Sequence, residues 1–303
     1  MRLVGELAAI LAALAWTVNS LSLERFGKGY SPWSLNALTK SGGLIAVSLL
    51  AFLMGGRLFP QADALQWTLL LLSGMLGFSF GDGFLFAAFQ ALGAKRTLLI
   101  FSINPIIAAL LGWAFLGEAL KPLHIVGILL AVFGIMWVIR ADLGEQQQAN
   151  SQSGDASGHR ITWQGLLFAA LATLGQAAGA LLSKAGMASL EPVPAAQIRL
   201  VGGVLGMAVL LTLTKQWRTL PVPLTQRRGR AILAVSVILG TLVGMVLSML
   251  AIKSTQVAIA SILMSLMPVM ILPISALAYH ERIRAREALG AVITLLGVAL
   301  LFF

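Results

Sequence analysis

The stretch SINPIIAALLGWAFLGE, residues 102–118, is apolar almost throughout, with Pro105 near its start and Glu118 at its end. Residues 265–281, SLMPVMILPISALAYHE, repeat the design: Glu281 follows Pro268 by thirteen positions, as Glu118 follows Pro105. At the same shift of 163, Gly77, Gly81, Gly127 and Gly134 fall on Gly240, Gly244, Gly290 and Gly297. Earlier in each half the shift becomes 160, so that Gly5 falls on Gly165 and Gly42-Gly43 on Gly202-Gly203. The chain reads as one unit written twice.

Composition says what that unit is made of. Of 303 residues, 58% are hydrophobic and 11% charged, with a mean hydropathy of +0.92. A soluble domain carries about 25% charged residues. Apolar runs of about 17 to 25 residues read as membrane helices. Ten are predicted: Leu3–Leu23, Pro32–Met54, Trp67–Gln90, Thr97–Leu116, Leu123–Ile139, Trp163–Leu182, Pro194–Leu213, Ala231–Ile252, Val257–Tyr279 and Ala288–Phe303. The runs are continuous rather than short and alternating, which excludes a transmembrane barrel. The expected fold is an all-α integral membrane protein. Residues 1–140 form the first repeat, 141–161 a polar linker rich in Gln, Ser and Gly, and 162–303 the second repeat. Five helices per repeat is an odd number, so the second copy enters the membrane from the opposite side. Inverted repeats of this kind place a substrate site near the midplane, around a central cavity, and work by alternating access.

The net charge of +10 sits in the loops, where Lys and Arg set orientation. No basic face suggests nucleic acid. The side that carries the N-terminus holds Arg2, Arg57, Lys121, Lys184 and Lys253; the opposite side holds fourteen basic residues, from Arg25 and Lys28 to Arg284 and Arg286. The bias puts the linker in the cytoplasm and both termini outside an inner (cell) membrane. With no cysteine in the chain, disulfides and thiolate metal sites are excluded.

Prolines and buried charges nominate the site. Pro105, Pro268 and Pro273 interrupt spans 4 and 9, and freed carbonyls are tolerated only where they face protein or a watery cavity. Asp82 is the one acid deep in a span, and such a charge is a functional candidate by default. It lies eight residues from its span's cytoplasmic end, about 12 Å at the helical rise. Lys40 lies at the same depth in span 2. Asn19 and Asn104 approach that level, so the expected cluster is Asn19, Lys40, Asp82 and Asn104. Asp82 either takes and releases a proton, or grips a zwitterionic substrate together with Lys40, or forms a static ion pair. Met245 occupies the position equivalent to Asp82 in the second copy, so the charge is not part of the shared scaffold. Phe78, Asp82 and Phe86 recur at four-residue spacing and share a helix face. With Trp16 they could stack on an apolar substrate or simply meet core and lipid. Gln176, Ser261, Ser265 and Met267 are the candidates of the second half. Arg199, near the outer end of span 7, is expected to snorkel outward. Glu118 and Glu281 are expected to favour the starts of the helices that follow them.

With the paired units, Asn104-Pro105 through Gly117-Glu118, and Gly127 and Gly134 in view, the chain resembles the drug/metabolite transporter superfamily, and within it the EamA family of ten-helix bacterial permeases. The second copy is looser, with Met267-Pro268 and His280-Glu281 at the corresponding places. The resemblance implies a secondary transporter, often an exporter of amino acids or related metabolites; one relative of understood structure exports aromatic amino acids. It implies a cavity surrounded by helices 1, 3, 4, 6, 8 and 9, and no cofactor. The expected partners are the lipid bilayer, a small-molecule substrate and, through Asp82, protons. Multidrug or nucleotide-sugar-type exchange is the alternative. An enzyme is not expected: Asp82 has no second membrane aspartate, and neither a P-loop nor a His-Glu-x-x-His motif is present. A channel would call for a continuous polar stripe, which the apolar spans lack.

Overall fold

The computed structural model describes residues 2–26, 29–55, 58–92, 97, 100–153, 162–187, 190–267, 269–270, 273–274, 277 and 285–300. Pro268, His280 and Glu281 lie outside the described residues. Among the described residues the secondary structure is helical throughout.

Two full-length helices open the chain, α1 (Arg2–Phe26) and α2 (Pro32–Gly55). Then comes a composite rod: α3 (Ala64–Gly74), a π-helical segment π1 (Met75–Gly81) and α4 (Asp82–Leu92). Asp63 starts it with a capping box, accepting from Gln66 N at 2.8 Å while the Gln66 side chain accepts from Asp63 N at 3.0 Å. A shorter α5 (Asn104–Leu116) and a long α6 (Pro122–Ser153) complete the first half. The second half repeats the order: α7 (Trp163–Met187), α8 (Pro192–Leu213), a rod of α9 (Arg227–Val235), π2 (Ser236–Val243) and α10 (Gly244–Ser254), then α11 (Val257–Met264) and α12 (Ala285–Ala299).

Helix therefore occurs within each of the ten predicted segments, but six helices are long and apolar enough to cross a membrane among the described residues. Spans 4 and 9 are interrupted for a physical reason. Span 4 is broken by a turn at Ser102-Ile103, and Pro105 falls in the first turn of α5 instead of kinking a continuous helix. A proline is preorganised for a first helical turn because its missing N–H needs no partner there. Span 9 breaks at Ser265-Leu266, 163 positions later. α5 ends on Gly117, whose φ of +64° suits glycine. α6 continues to Ser153, past the predicted end of span 5 at Ile139.

Packing follows the duplication. α1 lies along α10 and π2, and α7 lies along α4 and π1. α2 packs on α8, α5 on α11, and α6 on α12. Exchanging the halves leaves this pairing unchanged. Matched glycines mark close approaches. A Cβ on Gly134 would lie 2.5 Å from Thr294 N and 2.8 Å from Gly290 O; one on Gly297 would lie 2.7 Å from Gly127 O. Small residues let membrane helices pack backbone to backbone. The surface is apolar in turn: on α1, Ala8, Ala9, Ala12 and Ala13 are buried, while Leu3, Leu7, Leu11 and Leu14 are exposed. A soluble helix buries its large residues. This one turns them outward, as lipid contact requires.

Candidate functional site

The site is built where two rods depart from α-helical geometry. In π1 the Asp82 N–H donates to the Gly77 carbonyl five residues back. In π2 the Gly244 N–H donates to the Leu239 carbonyl, again five back. Isolated π segments recur at functional sites because they shift a carbonyl and its neighbours off the regular ladder. One glycine carbonyl in each π segment is met by a side chain from the other half. Gln176 Nε2 donates to Gly77 O at 3.1 Å, and Trp16 Nε1 donates to Gly240 O at 2.9 Å. Gln176 and Trp16 are equivalent positions of the two repeats.

Around π1 the constellation is charged. Lys40 Nζ lies 3.2 Å from Asp82 Oδ2, and Gln176 Nε2 donates to Asp82 Oδ1. The Asp82 carboxylate thus has both oxygens engaged, one from α2 and one from α7. The side chains of Lys40 and Asp82 remain 15% and 20% exposed, so the pair is not sealed. Phe78 lies between two cations, with Lys40 Nζ and the Arg199 guanidinium carbon each 4.3 Å from its ring centroid. Its own carbonyl accepts from Asn36 Nδ2 at 3.2 Å, and Ser79 Oγ donates to Gly203 O at 2.8 Å.

The predicted residues divide accordingly. Lys40, Asp82 and Gln176 are brought together. Asn19 belongs elsewhere: its side chain packs against Gly240 in π2, beside Trp16, with its buried Oδ1 unpartnered. Asn104 begins α5, buried, with its Oδ1 also unpartnered; no contact links it to Asp82. Ser265 donates to the Ser261 carbonyl at 2.8 Å at the break in span 9, and Met267 is half-buried just beyond it. Phe86 is on α4, its side chain outside the described residues. Phe78 and Asp82 both face Lys40 Nζ, at 4.3 Å from the ring centroid and 3.2 Å from Oδ2.

Two further expectations are corrected. Arg199 does not snorkel: it is 4% exposed, stacked on Phe78, because α3 and π1 close over α8 at that level. Glu118 does not serve the helix that follows it. Its Oε2 accepts from Val257 N at 2.9 Å, at the first turn of α11 in the other half, while Oε1 pairs with Lys184 Nζ at 3.1 Å. Lys184 also donates to the Thr255 carbonyl. These residues border a cavity of about 410 Å³ lined by Ala119, Lys121, His124, Lys184, Lys253, Ser254, Thr255 and Gln256. Three of the five basic residues assigned from sequence to the N-terminal side meet there. Asn36, Ser79 and the latch between Glu118 and Val257 had no local signal. The only clue to Asn36 and Ser79 was a polar residue within an apolar run.

A solved crystal structure, titled only "Crystal structure of protein", is similar to this chain with a TM-score of 0.75 at 20% identity, covering 99% of this chain and 97% of that one. At that identity the likeness shows the fold alone. Among curated proteins none matches. The model of the EamA-like transporter family matches residues 3–140 and again 163–303. Two matches, one to each half of a duplicated helical membrane chain, account for nearly its whole length: the chain belongs to the EamA-like transporter family.

Proposed function

We propose that this transporter is a secondary exporter of small organic metabolites such as amino acids, working by alternating access between two inverted five-helix repeats. Its ten segments all cross the inner membrane, with both termini outside and the linker cytoplasmic. The carrying observation is the Lys40–Asp82–Gln176 constellation, which joins α2 and α4 of one half to α7 of the other. A polar group that bridges both halves feels any rocking between them. The recurrence of these helix pairs in both halves supports the same reading, because related arrangements can then interconvert.

Trp16, Asn19, Phe86, Asn104, Ser265 and Met267 complete the proposed substrate path with the constellation. Asp82 is the proposed proton carrier. A proton on Asp82 would release Lys40 and loosen the contact between halves, coupling protonation to movement. Asn104 and the breaks at Ser102 and Ser265 provide polar backbone in the two interrupted spans.

The test is flux in proteoliposomes over an amino-acid panel, with and without a pH gradient. The reading expects flux that a gradient accelerates in the wild type and no longer accelerates in Asp82→Asn. An Asp82→Asn protein that responds to the gradient like wild type removes Asp82 from coupling.

A further inference from the structure

The charges around Phe78 do not balance. Lys40 and Arg199 carry one positive charge each, and Asp82 supplies one negative charge. Asp82 is occupied by Lys40 at 3.2 Å and by Gln176. Arg199, 4% exposed, lies against soft partners, the Phe78 ring at 4.3 Å and Met249 Sδ at 4.0 Å, with its Nε unpartnered; it feels the Asp82 charge, but among the described residues no carboxylate forms a salt bridge with it. A cation–π contact is weak beside the cost of taking an ion out of water. The ring does not offset that cost, and a thioether sulfur is a weak acceptor.

Nor is Arg199 a scaffold feature. Its equivalent in the first half is Thr39, and those of Lys40 and Asp82 are Leu200 and Met245. The charge has been placed on one side of a duplicated frame. Its guanidinium also faces the constellation: a Cβ at Gly77 would lie 2.8 Å from Arg199 Nη2 and 3.8 Å from Gln176 Oε1. The absence of a side chain at Gly77 is what lets the guanidinium reach the level of Gln176.

We propose that Arg199 receives the carboxylate of the transported compound, which makes a carboxylate the required feature of the substrate. This rests on the transporter reading and sharpens it: Asp82, whose charge Arg199 feels, keeps its oxygens on Lys40 and Gln176, and the carboxylate in direct contact with Arg199 arrives with the ligand. A guanidinium offers a carboxylate two parallel donors, which an ammonium does not.

The experiment is thermal unfolding of the purified full chain in detergent with two acid–amide pairs, benzoate against benzamide and leucine against leucinamide. Expected is a rise in Tm with benzoate or leucine that its amide does not give, abolished in Arg199→Gln and partly kept in Arg199→Lys. Equal shifts from acids and amides, no shift from either acid, or an undiminished shift in Arg199→Gln overturns the proposal. Should Arg199→Gln not fold, the acid–amide comparison on the wild type decides alone. Flux of the same compounds in wild-type proteoliposomes separates the two claims. Acids that bind but never cross sink the transport reading and leave the Arg199 site standing. Acids and amides that cross equally well sink the site and leave transport standing.

Discussion

Gln176 Nε2 lies 3.1 Å from the carbonyl oxygen of Gly77, which the π1 segment also commits to Asp82 N–H. The same Nε2 reaches the Asp82 carboxylate. One amide group therefore ties α7 to both the backbone irregularity and the buried acid. Trp16 makes the equivalent bond to Gly240 at 2.9 Å, but its partner rod carries Met245 where Asp82 would be. The backbone device is duplicated and the charge is not.

From this follows a difference between the two donors. Gln176→Ala removes a charge-assisted bond worth roughly 1.5–3 kcal/mol. It is expected to lower flux at least about tenfold while leaving helix content by circular dichroism unchanged. Trp16→Phe removes only the neutral bond to Gly240, roughly 0.5–1.5 kcal/mol, and is expected to cost less. Flux of the two variants in matched proteoliposomes checks the order; equal losses would mean that Asp82 gives Gln176 no special weight.

The glycine interface of α6 and α12 makes a stability prediction. A Cβ at Gly134 would lie 2.8 Å from the Gly290 carbonyl, and one at Gly297 would lie 2.7 Å from the Gly127 carbonyl. Backbone cannot rotate away, so Gly134→Ala and Gly297→Ala are each expected to destabilise by about 1–3 kcal/mol, the cost of overpacking. Gly55, where a Cβ would meet nothing within 4 Å, is the control, and Gly55→Ala is expected to be neutral. Tm in detergent reads all three.

These glycines were visible in the sequence because only one residue type tolerates backbone contact, so duplication preserved them in register. Pro105 announced an interruption for the same reason: its ring forbids a regular interior turn. The π segments gave no such sign. An extra residue in a turn demands no particular side chain, and Met75–Gly81 reads like any apolar helix. Arg199 was misread because its long side chain can serve water or a neighbour. The deciding partner, Phe78, comes from a different helix. Glu118 was misread for a related reason: the helix start it caps is 139 positions away. What a residue forbids is local, whereas what it reaches is set by packing.

The Glu118–Lys184 pair bridges the halves at 3.1 Å, with side chains 12% and 25% exposed. Partial burial makes it stronger than a surface pair, which contributes about 0–1 kcal/mol. A double-mutant cycle of Glu118→Gln and Lys184→Met is expected to give a coupling of roughly 1–2 kcal/mol, in the range of charge-assisted bonds. Glu118→Ala is expected to cost more than Glu118→Gln, because it also strips Val257 N of its acceptor at the start of α11. Unfolding in detergent supplies the four corners of the cycle. A coupling near zero would reduce the pair to a chance contact.

Orientation is open to direct measurement, since the chain has no cysteine to remove. Leu58 and Leu224 are 52% and 48% exposed, the first in the loop that follows α2 and the second in a single helical turn (Val222–Thr225) that precedes α9. The basic-residue count places the first outside and the second in the cytoplasm. In intact cells a membrane-impermeant maleimide is expected to label Leu58→Cys and to spare Leu224→Cys until the membrane is permeabilised. The opposite pattern would reverse the transporter in the membrane. It would place the Glu118–Lys184 bridge on the cytoplasmic face and Asp82 nearer the outer end of its rod. Protons from outside would then reach that carboxylate by the shorter route, so the labelling result also decides from which side a pH gradient should act.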